Sequence, residues 1–485
     1  MTKDAFNGKG IYLVYFIAIS VCYSAVLFNN YAFSDDYDTL YKILTHTPGS
    51  LSFDIMTGRP LYAIFRYSVV TTLKDMHGFI YLRLFSVLMT FIYCCFLHDF
   101  IIKRGIFDSL WLNRLLPFCL SVVPALVVYN SWASCFNYTF SLLLSGIAYV
   151  FFSTKNIRRT WLRMVLACLI LITAFAIYQP TGMAFLLFLF LDCCVKKNGY
   201  HLLKLVYAAI ILCVGMIASY LMATFIPQLL YHQVFTRTSL VQNIPAKLSW
   251  IWHEPLKNAV NNYNINPVSW YTVLSVILIL IGWRYIIRDG ENRWMRALLV
   301  PLVALASYLP NMLIAESWAA YRSLVAIESI FCILFLLGIW SLLSLVEESK
   351  QKNLALVMVT GLMVLTQSNI YKGFIAPQQA EYWALTNALA ENPGREYQGR
   401  LMFDISAPIY DAFSARHRYD EFGNTSLATP WAPRGIAESI RQAGGFHFTL
   451  GEESIVTPEH SCLADCIAIK TRDILKNAVL SPGVH

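Results

Sequence analysis

Long apolar runs, broken by short polar clusters, dominate the chain up to about residue 371. Runs suited to crossing roughly 30 Å of hydrocarbon are Ile11 to Phe28, Phe79 to Ile101, Leu115 to Val128, Tyr138 to Phe152, Met164 to Ile177, Met183 to Val195, Leu205 to Phe225, Trp270 to Ile287, Ala297 to Ile314, Ser323 to Val346 and Leu354 to Ile370. They predict an all-α polytopic membrane protein of about eleven transmembrane helices. Two breaks set that number. As one helix, Met164 to Val195 would run to roughly 48 Å, too long for a single crossing, and its Tyr178-Gln179-Pro180-Thr181-Gly182 interruption suits a tight hairpin. Asn130-Ser131-Trp132-Ala133-Ser134 divides Leu115 to Phe152 in the same way, which leaves both polar breaks on one side.

Beyond Lys372 the pattern becomes mixed. It predicts a helix at 378–390, a strand at 400–405, a helix at 436–443, a strand at 446–450 and a last strand or helix at 466–478. The chain therefore divides into a transmembrane domain, 1–371, with polar outer segments at 29–78 and 227–269, and a small C-terminal α/β-like domain, 372–485. Composition agrees: 57% of residues are hydrophobic, 14% are charged and the mean hydropathy is +0.53, more apolar than a water-exposed surface tolerates.

Basic residues orient the chain, because they are retained in the cytoplasm. Most fall where an inside N-terminus requires them, and Lys3 and Lys9 precede a first span with no small-residue cleavage site after it, so that span is expected to stay as an anchor. An odd number of crossings then puts the tail outside. The tail carries 10 Lys+Arg against 13 Asp+Glu, so the formal net charge of +8 comes from the membrane part. It is a topogenic signal and no nucleic-acid footprint. Lys42, Arg59, Arg66, Lys74, Arg83, Arg237, Lys247, Lys257 and Arg322 resist the bias and need a reason on the outer side. Ten of the twelve cysteines lie in or beside spans and read as small hydrophobes. Cys462 and Cys466 lie in the outer domain, where a disulfide is open to them; His447 and His460 do not make a zinc-ligand spacing.

The sharpest polar motif follows the first span: Phe33-Ser34-Asp35-Asp36-Tyr37-Asp38. Asp35 and Asp36 offer a base for a reacting hydroxyl, with one acid taking the proton and the other holding the acceptor. The competing account has Ser34, Asp35 and Asp36 ending a helix in water, and Asp38 is left with that account. Gly58-Arg59-Pro60 starts a helix with Pro at its first position, and Arg66 lies seven residues on, so two guanidinium groups share a face suited to a lipid phosphate or to headgroup anchoring. Arg322 lies in an outer loop with Glu316, and Glu328 follows inside the next span; Arg322 suits an anion at the membrane surface, while the acids bind substrate or pair with neighbours. Tyr231, Trp250, Trp252 and Tyr263 in the second outer segment read as a membrane belt or as sugar-stacking rings. Tyr178 and Gln179 hydrogen-bond either a sugar or their own turn.

Phe28-Asn29-Asn30-Tyr31-Ala32-Phe33-Ser34-Asp35-Asp36-Tyr37, Gly58-Arg59-Pro60, Tyr178-Gln179-Pro180 and the outer tail together resemble the phage-associated glucosyltransferases that convert O-antigen serotype. The resemblance covers most of the chain by architecture, with the acidic and Gly-Arg-Pro motifs as its sharp part. It implies a GT-C type helix bundle in a bacterial inner membrane, with a cytoplasmic N-terminus and a periplasmic C-terminal domain. The implied reaction passes glucose from undecaprenyl-phosphate glucose to a sugar of lipid-linked O-antigen, with inversion. Asp35 and Asp36 would be base or acceptor-positioning groups, and Arg59 with Arg66 or Arg322 would hold the donor phosphate. Two arginines suffice for the leaving charge without a cofactor, and a divalent ion at the acidic pair stays open. No Gly-rich nucleotide loop is present, which fits a lipid-phosphate donor. The alternatives are a flippase or transporter of a lipid-linked sugar, and an O-antigen polymerase or ligase.

Overall fold

The computed structural model describes residues 10–154, 160–197, 199–232, 239–264, 269–288, 292–405, 421–455, 462 and 466–480. Arg237 and His460 lie outside the described residues, as do Lys3 and Lys9.

Apolar runs become helices because only a helix satisfies its own backbone away from water. Among the described residues six are long and apolar enough to cross a membrane: Met76–Arg104, Ala133–Ser153, Leu202–Tyr231, Trp270–Arg288, Val325–Leu343 and Lys350–Glu391. A seventh is formed if Leu110–Leu120 and Pro124–Ser131, bent by 46°, count as one crossing. Gly10–Cys22, Trp161–Ile177 and Gln179–Val195 are apolar but shorter. By length and apolarity, six or seven of the about eleven expected crossings are present among the described residues. Hydropathy marks where lipid is tolerated, whereas Pro124, Pro180 and the extended backbone at Tyr178 cut the helices short.

Packing within the bundle is closest where side chains vanish. Cβ atoms on Gly282 and Gly338 would stand 1.9 Å from the Leu334 carbonyl oxygen and 2.0 Å from that of Leu278, so these reciprocal glycines let helices Ser269–Arg288 and Val325–Leu343 meet backbone to backbone. Helix Leu202–Tyr231, by contrast, leaves Leu203, Ile217, Phe225 and Leu229 exposed, as a lipid-facing helix does.

Hydrogen bonds gather the connecting segments into two groups. In one, the Tyr31 hydroxyl donates to the Ser131 carbonyl at 2.7 Å, the Tyr62 hydroxyl to that of Ser134 at 2.8 Å, and Gln179 to that of Gly58 at 3.0 Å. In the other, Arg104 reaches Ser153 Oγ at 2.6 Å and Asp192 at 3.3 Å, and Lys197 reaches Asp108 at 3.1 Å. The polar breaks at 130–134 and 178–182 thus fall in the same group.

Helix Glu348–Ile370 continues through a π-helical turn, Tyr371–Ile375, into helix Ala376–Glu391. The tail is therefore joined to the bundle by continuous helix. It then forms β1 (Arg400–Asp404), a helix Pro433–Gly444, β2 (Thr449–Ile455), β3 (Cys466–Lys470) and a helix Thr471–Leu480. The sheet is parallel throughout in the order β2-β1-β3, and Cys462 and Cys466 form a disulfide. Its core is shared: Leu385, Leu401, Phe403, Ile436 and Ile440 pack with Tyr37, Leu40 and Ile43 of the 29–78 segment.

Candidate functional site

The acidic motif opens helix Asp35–Leu44, with Ser34 at φ 48° before it. The Ser34 N–H donates to Ser426 Oγ of the tail at 2.8 Å, which fixes the start of the helix. Asp36 is fully buried, and both of its oxygens are used. Oδ1 accepts from the Ser134 N–H at 2.7 Å and its hydroxyl at 2.6 Å; Oδ2 accepts from the N–H groups of Phe33 at 3.1 Å and Ala133 at 3.3 Å. Burial raises its pKa to about 6, against the pull of Arg83 and of the Ser134 bonds. Asp36 is thus a brace between the 29–78 segment and the 130–134 break.

Asp35 is the partly exposed member of the pair, and its charge is felt at Tyr62, Arg66 and Cys135. The two acids therefore diverge, as neighbouring positions on a helix do. Asp38, expected in water, instead meets three cations: Lys42 at 2.6 Å, Arg66 at 2.9 Å and Arg434 of the tail at 3.1 Å. Burial works against its charge, but these partners hold its pKa below the ordinary aspartate range. Arg66 also reaches Asp54 at 3.4 Å, so its fork is directed at two carboxylates.

Arg59 takes the other direction. It stands at the N-cap of helix Pro60–Thr72; its Nε donates to Gln179 Oε1 at 3.3 Å and its guanidinium lies 4.9 Å from the Tyr178 ring centre. Gln179 Nε2 in turn donates to the carbonyls of Thr57 at 3.1 Å and Gly58 at 3.0 Å. This junction requires Gly58, whose φ is +78° and whose Cβ would lie 2.7 Å from Ala223 Cβ. Arg59 forms no ion pair among the described residues.

Tyr178 stacks on Tyr138 with ring centres 3.9 Å apart, and it lies in the field of both Arg59 and Arg322. Arg322 sits over the Trp132 ring at 4.8 Å. Its loop is held by Glu421 of the tail, which is buried and accepts from the N–H groups of Tyr321 at 2.6 Å and Arg322 at 2.8 Å, with a longer contact to Arg322 Nη1 at 3.5 Å. From below, the Tyr129 hydroxyl donates to the Arg322 carbonyl at 2.6 Å. Beside this shelf, Asp36, Thr39, Tyr62, Arg66, Phe79 and Phe136 line a small cleft of about 10 Å³, room for a single water.

Two candidates lie elsewhere. Glu328 turns into the bundle, where its Oε2 accepts from the Ala125 N–H at 3.1 Å at the start of helix Pro124–Ser131; this is a capping position. Glu316 offers its carbonyl to Lys247 Nζ, in the 227–269 segment, at 2.7 Å. Burial lowers the Lys247 pKa to about 8, with Glu316 opposing. Among the described residues no group of three or more His, Cys, Asp or Glu side chains is placed to hold a metal ion.

Ser134, Asp54, Glu421 and Arg434 were missed as site residues. Ser134 carries a signal, since it closes a polar break between apolar runs. Glu421 and Arg434 carry none, because their partners lie about a hundred or more residues away along the chain. Chemically, the arrangement sets a partly exposed carboxylate and two separately oriented guanidinium groups around an aromatic shelf. Such a set can take a proton and bind an anion. No protein-family model matches the chain, and no match to a curated protein is found.

Proposed function

We propose that this chain is an inverting glycosyltransferase of GT-C type, with about eleven crossings, that transfers glucose from undecaprenyl-phosphate glucose to lipid-linked O-antigen on the periplasmic face. The observation that carries the reading is a convergence: the acidic motif, Gly58-Arg59-Pro60 and Tyr178-Gln179, far apart in sequence, meet at one end of the bundle. In this reading Asp35 takes the proton of the acceptor hydroxyl as that oxygen attacks the anomeric carbon. The bond from that carbon to the phosphate oxygen breaks on the opposite face, which inverts the centre. Arg59 and Arg322 neutralise the departing phosphate. Asp36 and Arg66 hold the framework, since their hydrogen-bonding capacity is turned to protein partners.

The test supplies the purified full chain in lipid with undecaprenyl-phosphate glucose and lipid-linked O-antigen, and compares it with Asp35→Asn and Arg59→Gln. Glucose transfer that falls at least a hundredfold in each variant is expected. Transfer at the normal rate in both, or no transfer by the unaltered protein in the presence of translocation or polymerisation of the lipid-linked sugar, sinks the proposal.

A further inference from the structure

Helix Ile244–His253, in the second outer segment, divides its surface into three arcs. Lys247 and Ile251 face the protein, 5% and 6% exposed. Ile244, Leu248 and Trp252, at i, i+4 and i+8, form a stripe that is 60%, 57% and 70% exposed. Beside the stripe, Ser249 and His253 form an exposed polar arc.

The inner arc is fastened. Lys247 Nζ donates to the Glu316 carbonyl at 2.7 Å and to Ser317 Oγ at 3.3 Å, and it lies 4.0 Å from the Trp250 ring centre. Just upstream, Leu240 bridges to Ile314 and the Ala315 N–H donates to the Ser239 carbonyl at 2.8 Å. Turning the stripe inward would break all of these contacts, so the apolar arc is meant to face outward.

What lies outside follows from the chain on either side. Helix Leu202–Tyr231 reaches this segment with Leu229 and Leu230 exposed, and helix Ser269–Arg288 leaves it with Trp270 exposed. Both are long apolar helices whose exposed side chains belong in lipid. The stripe lies in the segment that joins these two helices, and an apolar arc flanked by a polar one is the pattern of a helix lying in a bilayer interface, where Trp is at home.

We propose that Ile244–His253 lies in the plane of the bilayer, with Ile244, Leu248 and Trp252 immersed in the headgroup–acyl boundary of the outer leaflet. The inference is independent of glycosyl transfer. It makes this helix a float on which the 314–317 segment, and so the approach to Arg322, is carried at the height of the membrane surface.

Spin labels at Leu248→Cys, Trp252→Cys, Ser249→Cys and His253→Cys, each in a Cys213→Ala background and in the full chain in phosphatidylethanolamine–phosphatidylglycerol nanodiscs, test it by power saturation. Labels at 248 and 252 are expected roughly 5–10 Å below the phosphate level, favouring oxygen over a water-soluble nickel chelate, with 249 and 253 the reverse. Equal nickel access at all four positions overturns the proposal, as does dipolar broadening at 248 and 252 that reports a second copy on the stripe. As a check that needs no label, brominated lipid should quench the unaltered protein more than Trp252→Phe; equal quenching counts against the proposal.

Discussion

At the residue scale, two adjacent aspartates have opposite fates. Asp36 has both oxygens filled by four donors, whereas Asp35 keeps partial exposure near Arg66 and Tyr62. Asp35→Asn is therefore expected to remove transfer by a factor of about 10² to 10⁴ with the thermal midpoint in detergent unchanged. Asp36→Asn should instead destabilise by about 1–3 kcal/mol, because its new NH₂ must face a backbone donor wherever it points. A lower midpoint for Asp35→Asn, or an unchanged one for Asp36→Asn, would exchange these roles.

The same carboxyl predicts a pH dependence. Burial raises the Asp36 pKa to about 6 in the folded protein, above the ordinary range it has when unfolded, so the folded state holds the proton more tightly. Its contribution is full below about pH 4 and is lost as pH rises through about 6, a change of up to about 3 kcal/mol. Asp38 runs the other way, since its depressed pKa removes stability only on further acidification. Between pH 4 and 6 the unaltered protein should lose thermal midpoint relative to Asp36→Asn, and parallel curves for the two would refute the assignment.

At the scale of elements, the Gly58 turn and the Tyr178-Gln179 break are one junction. Gly58→Ala adds a Cβ 2.7 Å from Ala223 at φ +78°, a conformation that costs roughly 1–2 kcal/mol before any clash. The expected outcome is a lower thermal midpoint together with weakened donor binding, because Arg59 is aimed through this turn. Donor affinity equal to that of the unaltered protein would separate the turn from the site.

This junction also marks what the sequence could reveal. Apolar runs and their breaks were legible, because lipid tolerates few polar residues, and the placement of both breaks together agrees with their shared contacts to the 29–78 segment. Span number was less legible, since proline and extended backbone shorten helices that composition alone extends. Side-chain partners were hidden: nothing local in Asp38 announces Arg434, and nothing local in Asp36 announces Ser134.

At the scale of the whole molecule, the tail is built into the site. Its helix Pro433–Gly444 lies so close to helix Asp35–Leu44 that a Cβ on Gly435 would stand 2.0 Å from the Tyr37 carbonyl oxygen, and Arg434 then reaches Asp38. Glu421, from the same domain, holds the backbone of the Arg322 loop. Its two short bonds go to main-chain N–H groups and it also pairs with the guanidinium at 3.5 Å, so it holds both the backbone and the charge of Arg322. Glu421→Gln leaves one acceptor oxygen for two backbone donors and turns an amide toward the second. The expected loss, about 1–2 kcal/mol, should appear as a lower thermal midpoint, as for Asp36→Asn, together with a raised KM for a polyprenyl-phosphate donor. Gly435→Ala acts on the other contact: by pushing the two helices apart it should speed amide exchange in residues 35–44 and leave exchange in helix Val325–Leu343 unchanged. Were both variants to keep normal donor KM and normal exchange, the tail would be a passenger beside the site, and its contacts with Asp38 and Arg322 would have no working role.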